Sequence, residues 1–412
     1  MEEYPDTFFV THTCVPYWGS PFEGNMNQSG QKNSLAILVV MLTLALTGVV
    51  RASDSTTGVR ESPLPDPFQF TNGKEVKTAA DWQLRRSELL AEFLNVEYGH
   101  APPPPRNVTG AVLVSGENLN NGGVSQLVKL VMGPGNGLTF NVQVFVPQGD
   151  GPFPVIIYNG SLDETVVPID RIVSRGYMLV VYDPTWLIDD ANHTDDLFKL
   201  YPGYDWGTLA AVTWELQRVV DYLQTRNDAD MTSVSLIGFS RNGKAALLAG
   251  ALDQRIALVN PDCSGAGGAG CYRYDPGDEQ TLQDVSSRFG YWFVKGFSDY
   301  SGREDQLPFD QFELEAIVAP RALLITQATG DRWSNPEGEQ ISWAAAKQVY
   351  EFLGAGDQIG IFYHPGIHEL TVDDWDALMD FADLQLQNQT INRSFNLPAY
   401  HDAPQLFTWH KP

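Results

Sequence analysis

The chain has 412 residues, 43% hydrophobic and 19% charged, which suits one large globular domain with insertions or two ordinary ones. Its formal net charge is −25 with no basic block to offset it, which excludes nucleic acid as a partner because phosphates would be repelled. The three cysteines, Cys14, Cys263 and Cys271, include no CxxC pair, and with no HExxH either the chain is neither a disulfide scaffold nor an expected metal site.

In chain order, the first feature is the apolar run Leu35 to Val50. Lys32 precedes it, and Val50-Arg51-Ala52 resembles a small-residue cleavage site, so the pattern is that of a signal peptide. A membrane-spanning helix needs about 20 apolar residues, so a cleaved leader is expected, with a retained anchor as the alternative. Met26 opens a better positively charged start than the acidic, aromatic residues before it. Residues 1–52 are therefore expected to be leader. Residues 53–412 are expected to be a single secreted catalytic domain with a short polar tail, monomeric and without a cofactor.

Ala79 to Tyr98 has helical periodicity, and the prolines of Ala101 to Pro105 stop it. Strand-like runs follow at Gly110–Val114, Leu127–Met132 and Thr139–Val146. From about residue 150 short apolar runs alternate with helical segments. Strands are predicted at Val155–Tyr158, Met178–Tyr182, Val234–Ile237, Ala257–Asn260, Ala322–Gln327 and Ile359–His364. Helices are predicted over Trp206–Thr225, Asn242–Ala251, around Lys347–Leu353 and over Val372–Leu386. Such alternation implies an α/β fold: a mostly parallel central sheet with helices on both faces, a three-layer sandwich.

One strand has a distinctive sequel. Val234–Ile237 leads into Gly238-Phe239-Ser240-Arg241-Asn242-Gly243-Lys244 and then an Ala/Leu-rich helix. A strand that ends in Gly-x-Ser and opens a helix is the nucleophile elbow of the α/β-hydrolase fold. The helix start behind it favours an oxyanion. The second glycine stands one place later than usual, with Asn242 in its customary position. A plain turn with a capping serine shares the motif, so the surrounding strand, helix and histidine carry the assignment of Ser240 as nucleophile.

A serine needs a base and a carboxylate to orient that base. Among seven His, His364 and His368 lie between the last strand and the last helix, where this fold keeps its base. His368 follows the Gly-bearing turn and is the expected base; His364, at the strand end, is expected to be structural. Two acids compete. Asp331 follows the strand Ala322–Gln327, and Asp262 follows Ala257–Asn260. Asp331 is favoured on chain order, although an Asp beside Gly330 also suits an ordinary turn.

From Leu64 to about Leu386 the chain resembles the glucuronoyl esterases, carbohydrate esterase family fifteen. The likeness rests on Gly238 to Lys244 against the family's Gly-Cys-Ser-Arg-x-Gly-Lys, on Ser264-Gly265-Ala266-Gly267-Gly268-Ala269, on Leu307-Pro308-Phe309-Asp310 and on Ile317-Val318-Ala319-Pro320-Arg321. It implies cleavage of the ester between glucuronic acid on plant glucuronoxylan and a lignin alcohol. By position it implies that Arg241 reaches the oxyanion, that Lys244 and Gln280 bind sugar hydroxyls, and that Trp333 stacks on the sugar. Fungal members carry a Glu where this chain has Cys263, so the resemblance leaves the acid to come from elsewhere, and Asp331-Arg332-Trp333 looks like the Asp-x-Trp run of bacterial members. A substrate-contacting Glu falls near Phe289. The fungal disulfide beside nucleophile and base falls on Phe239 and Glu369, so both halves are missing. Cys271 matches another half-cystine whose partner falls near Ser342, and is expected to be unpaired. An acetylxylan or broader carbohydrate esterase, or a non-catalytic glucuronoxylan-binding relative, are the competing readings.

Overall fold

The computed structural model describes residues 59–412, apart from 121 and 278. The expected leader, the signal segment and the start at Met26 lie outside the described residues. A short strand β1 (Arg60–Glu61) precedes helix α1 (Ala79–Phe93), which a π-helical turn extends to Tyr98. Then come β2 (Thr109–Asn118), β3 (Val124–Met132), β4 (Leu138–Val146), β5 (Phe153–Asn159), α2 (Ile169–Ser174), β6 (Met178–Tyr182), α3 (Thr185–Ile188), α4 (Asp196–Leu200) and α5 (Thr208–Leu223). The second half runs β7 (Ala229–Phe239), α6 (Arg241–Leu252), β8 (Leu258–Asp262), β9 (Tyr274–Asp275), α7 (Leu282–Phe289), α8 (Gln311–Val318), β10 (Ala322–Ala328), α9 (Pro336–Phe352), β11 (Ile359–His364) and α10 (Val372–Gln385).

The main sheet has nine strands in the order β11-β10-β8-β7-β5-β6-β4-β3-β2, while β1 pairs with β9 in a separate ribbon. Strands β6, β5, β7, β8, β10 and β11 run parallel, and β2, β3 and β4 join antiparallel at the β4–β6 edge. The period of two along each strand sorts side chains between two cores. Val155, Ile157, Leu323 and Ile325 pack with Leu209 and Trp214 of α5, Leu247 of α6, Phe312 of α8 and Tyr350 of α9. Ile156, Tyr158, Ala322 and Leu324 pack with Ile172 of α2 and Trp375, Leu378 and Phe381 of α10. Two covered faces make the central strands predominantly apolar, the buried Asn159, Asn260, Asp262 and Thr326 falling towards their C-terminal ends. At the start of β4, covered there on one face, Leu138 and Phe140 are buried while Thr139 and Asn141, alternating with them, are exposed. Helices α2, α3, α4, α7 and α8 were not expected. They are short, and their apolar residues are held by tertiary burial that local periodicity does not report.

Buried glutamates set a pH dependence, Glu97, Glu215 and Glu313 among them. Burial pushes Glu97, Glu215 and Glu313 each up to about 8, against hydrogen bonds such as that from Tyr272 to Glu97 and the Arg85 charge near Glu313. Their native form holds protons that the unfolded chain releases near pH 4.5. Their contribution to stability is therefore complete below about 4.5 and is lost as pH rises through about 8. Thermal melts should give a higher Tm at pH 5 than at pH 8. Glu215→Gln, which cannot titrate, should narrow that difference; an unchanged gap between the two pH values would count against a titrating Glu215.

Candidate active site

Ser240 stands between the end of β7 and the start of α6 with φ 57° and ψ −125°. A non-glycine residue held at positive φ marks strain maintained by its surroundings. The surroundings are tight. A Cβ at Gly238 would stand 2.3 Å from Asn242 O, and one at Gly243 would stand 2.7 Å from Gly238 O and 2.9 Å from Asp262 O. The displaced second glycine of the motif is therefore explained: the close approach falls at Gly243, and Asn242 occupies a position that tolerates a side chain. Asn159 Nδ2, at the end of β5, donates to Asn242 O at 2.9 Å and ties the first turn of α6 to the sheet.

His368 and Asp331 arrive on neighbouring loops. Strands β10 and β11 are adjacent and parallel, with Ala328 opposite His364. Beyond the strand ends the loops remain stitched: Thr329 N donates to His364 O at 2.9 Å and Gly330 N to Gly366 O at 3.0 Å. A side chain at Gly330 would collide with that same carbonyl, 2.5 Å away. The result is a continuous relay. His368 Nε2 lies 2.8 Å from Ser240 Oγ, and His368 Nδ1 lies 2.7 Å from Asp331 Oδ2. The carboxylate of Asp331 is fully buried and also accepts from Trp333 N at 3.0 Å and from Ser334 Oγ. Gln327 Nε2 donates to Ser334 Oγ at 2.9 Å. An ionised Asp331 fixes the proton of His368 on Nδ1 and leaves Nε2 as acceptor towards the serine.

The competing acid is directed elsewhere. Asp262 is fully buried, accepts from Thr326 Oγ1 at 2.6 Å, and is raised well above the usual carboxylate range by burial and by Asp374. His364 is buried with its Nε2 3.2 Å from Asp374 Oδ2, a structural placement. Where the resemblance leaves no disulfide, the Phe239 ring packs on the His368 ring at a centroid distance of 4.7 Å. Cys263 Sγ lies 4.0 Å from Glu369 O. Both described cysteines are free and buried, so Cys271 is unpaired as expected.

The other expected site residues fall in different environments. Trp333 is partly exposed beside Asp331, with the Arg288 guanidinium 5.0 Å from its ring centroid. Lys244 and Gln280 meet, but inside the protein. Lys244 is 2% exposed, and its Nζ donates to Ser264 O, to Ala266 O at 2.6 Å and to Gln280 Oε1 at 3.2 Å. Burial pulls its ammonium down to about 7, against the nearby Glu339 charge. The Lys244 ammonium, for which the resemblance implies a sugar contact, is thus engaged by three internal acceptors, with which a sugar hydroxyl would have to compete. Arg241 is held by Asp189, Nη1 to Oδ1 at 2.7 Å. Sequence reasoning missed Ser334, a local partner of Asp331 three residues away, and Asp189, which meets Arg241 only through the fold. Among the described residues no group of three or more His, Cys, Asp or Glu is arranged to hold a metal ion.

A mostly parallel sheet covered on both faces, with a serine on a strained strand-to-helix turn at the strand ends, defines the α/β-hydrolase class. The model of the fungal glucuronyl esterases matches residues 130–354. A 4-O-methyl-glucuronoyl methylesterase of Schizophyllum commune is 34% identical over 348 residues, covering 80% of this chain and 84% of the relative. A carbohydrate esterase from an unknown prokaryotic organism is 40% identical, covering 78% of this chain and 89% of its own length. A solved glucuronoyl esterase of carbohydrate esterase family 15 from Caldicellulosiruptor kristjansonii is similar at a TM-score of 0.74 and 32% identity, covering 85% of this chain and 98% of that structure. The chain belongs to the glucuronoyl esterase family, carbohydrate esterase family fifteen, and is a carboxylic-ester hydrolase.

Proposed function

We propose that the protein is a secreted serine esterase that cleaves 4-O-methyl-glucuronoyl esters joining plant glucuronoxylan to lignin alcohols. The relay from Asp331 Oδ2 through His368 to Ser240 Oγ, with contacts of 2.7 and 2.8 Å, is the observation that carries this reading. Ser240 Oγ attacks the ester carbonyl carbon of the uronate while His368 Nε2 takes its proton. The resulting oxyanion is met by the Arg241 guanidinium and by amides at the start of α6. The intermediate collapses, His368 gives the proton to the leaving alcohol oxygen, and the glucuronoyl group remains on Ser240. Water then attacks the acyl-enzyme while His368 takes its proton, and as the acyl bond to Ser240 breaks His368 returns that proton to Oγ, releasing free glucuronate. A purely sugar-binding relative would have no use for a base aligned on a strained serine.

Trp333 is the stacking face for the sugar. Lys244 and Gln280 act on sugar binding through the loop of Ser264 and Ala266, whose carbonyls Lys244 holds. The substrate-contacting Glu that the resemblance implies falls near Phe289, so this reading gives the subsite fewer polar contacts.

The deciding experiment is hydrolysis of benzyl glucuronate compared with release of acetate from acetylated xylan. Preference for the glucuronate ester supports the proposal, and preference for acetyl esters would make the protein a broader carbohydrate esterase. Trp333→Ala should raise KM for benzyl glucuronate by about 10- to 100-fold and leave a simple acetyl ester nearly unaffected. Lys244→Ala should raise the same KM and also lower Tm, because Ser264 O and Ala266 O lose their donor. Equal losses on both substrates would remove Trp333 and Lys244 from the sugar site.

A further inference from the structure

We infer that Asp189 is a positioning residue for ester hydrolysis, holding the Arg241 guanidinium ready for the oxyanion; this rests on the reading of Ser240 as the nucleophile. Arg241 is the first residue of α6, directly after the strained serine. A cation there sits at the positive end of the helix, and its long side chain has many conformations to lose. Its own helix therefore does not fix it. The anchor comes from another element, in a fork-on-fork pair: Arg241 Nη1 to Asp189 Oδ1 at 2.7 Å and Nη2 to Oδ2 at 3.2 Å.

Asp189 stands on a pinned support. It ends α3, the four-residue helix that follows β6. Leu187 and Ile188 of that helix are fully buried. Ile188 O accepts from Trp292 Nε1 at 3.3 Å. At the other end of the segment, Asp183 accepts from Ser161 Oγ at 2.7 Å and from Thr185 N at 2.9 Å. The Arg241 and Asp189 side chains are 35% and 45% exposed, so their attraction adds little to folding. What the pair provides is geometry: the guanidinium has lost its freedom before substrate arrives, so less reorganisation is left for the transition state.

The test is a double-mutant cycle on benzyl glucuronate with Asp189→Ala, Arg241→Ala and the pair of changes combined, with Asp189→Glu as the conservative variant. Asp189→Ala should lower kcat about 10-fold with KM and Tm unchanged, and Asp189→Glu should recover much of it. In the Arg241→Ala background, Asp189→Ala should cost nothing more, because a positioning residue acts only through what it positions. An equal loss in both backgrounds, a change in KM instead of kcat, or a faster Asp189→Ala variant would each overturn the inference. Turnover surviving in Ser240→Ala would sink the nucleophile reading itself. An inactive Ser240→Ala beside an unimpaired Asp189→Ala would sink only the role of Asp189.

Discussion

Replacing Ser240 with alanine should lower kcat by about 10⁴-fold or more while the sugar is still bound. The size follows from what the side chain is proposed to do. It forms the covalent bond to the acyl carbon, and its Oγ stands 2.8 Å from His368 Nε2. The loss should appear in kcat, because the proposed sugar contacts at Trp333, Lys244 and Gln280 remain. The strained backbone at φ 57° belongs to the turn, so the variant should fold. Relief of a side-chain demand there should leave Tm unchanged or slightly raised, as functional strain often opposes stability. Single-turnover measurements on benzyl glucuronate, with product binding followed in parallel, check both halves. Near-normal turnover by the variant would end the serine mechanism.

Asp331→Asn is the second large effect, an expected loss of about 10²- to 10⁴-fold in kcat. The amide is nearly isosteric, but Trp333 N donates to Oδ1 and Ser334 Oγ to Oδ2, so its single oxygen can keep only one of these two donors. What disappears is the negative charge 2.7 Å from His368 Nδ1. Without it the imidazole can present the wrong tautomer to Ser240, and the imidazolium formed during attack has no counter-charge. The companion variants separate this from a general disturbance. Cys263→Ala should cost little, since Cys263 is a buried thiol that burial holds well above its ordinary pKa and is a poor partner for imidazolium. Cys263→Glu should restore part of the activity to Asp331→Asn, because Cys263 Sγ already approaches the backbone of Glu369, the residue after the base. If Asp331→Asn turns over normally while Asp262→Asn is inactive, the acid is Asp262 and the relay has been misassigned.

The alternation of apolar runs and helical segments was enough to read the α/β architecture, because the central strands are covered on both faces and are therefore mostly apolar. Gly238-Phe239-Ser240 was legible for a related reason: the turn has no room for a Cβ at Gly238, so the constraint is written in the local sequence. The choice between Asp331 and Asp262 was not settled locally, since both follow strand ends. Tertiary structure distinguishes their surroundings: β10 lies beside β11, its loop is stitched to the loop of His368, and Asp262 is turned into the sheet against Thr326. The engagement of Lys244 was equally hidden, because its acceptors, on Ser264, Ala266 and Gln280, stand 20, 22 and 36 residues away. The pairing of Arg241 with Asp189 spans 52 residues and leaves no mark in either segment alone. Motifs governed by backbone crowding and burial are thus determined residue by residue, whereas the partners of charged side chains depend on which strand ends the sheet order makes neighbours.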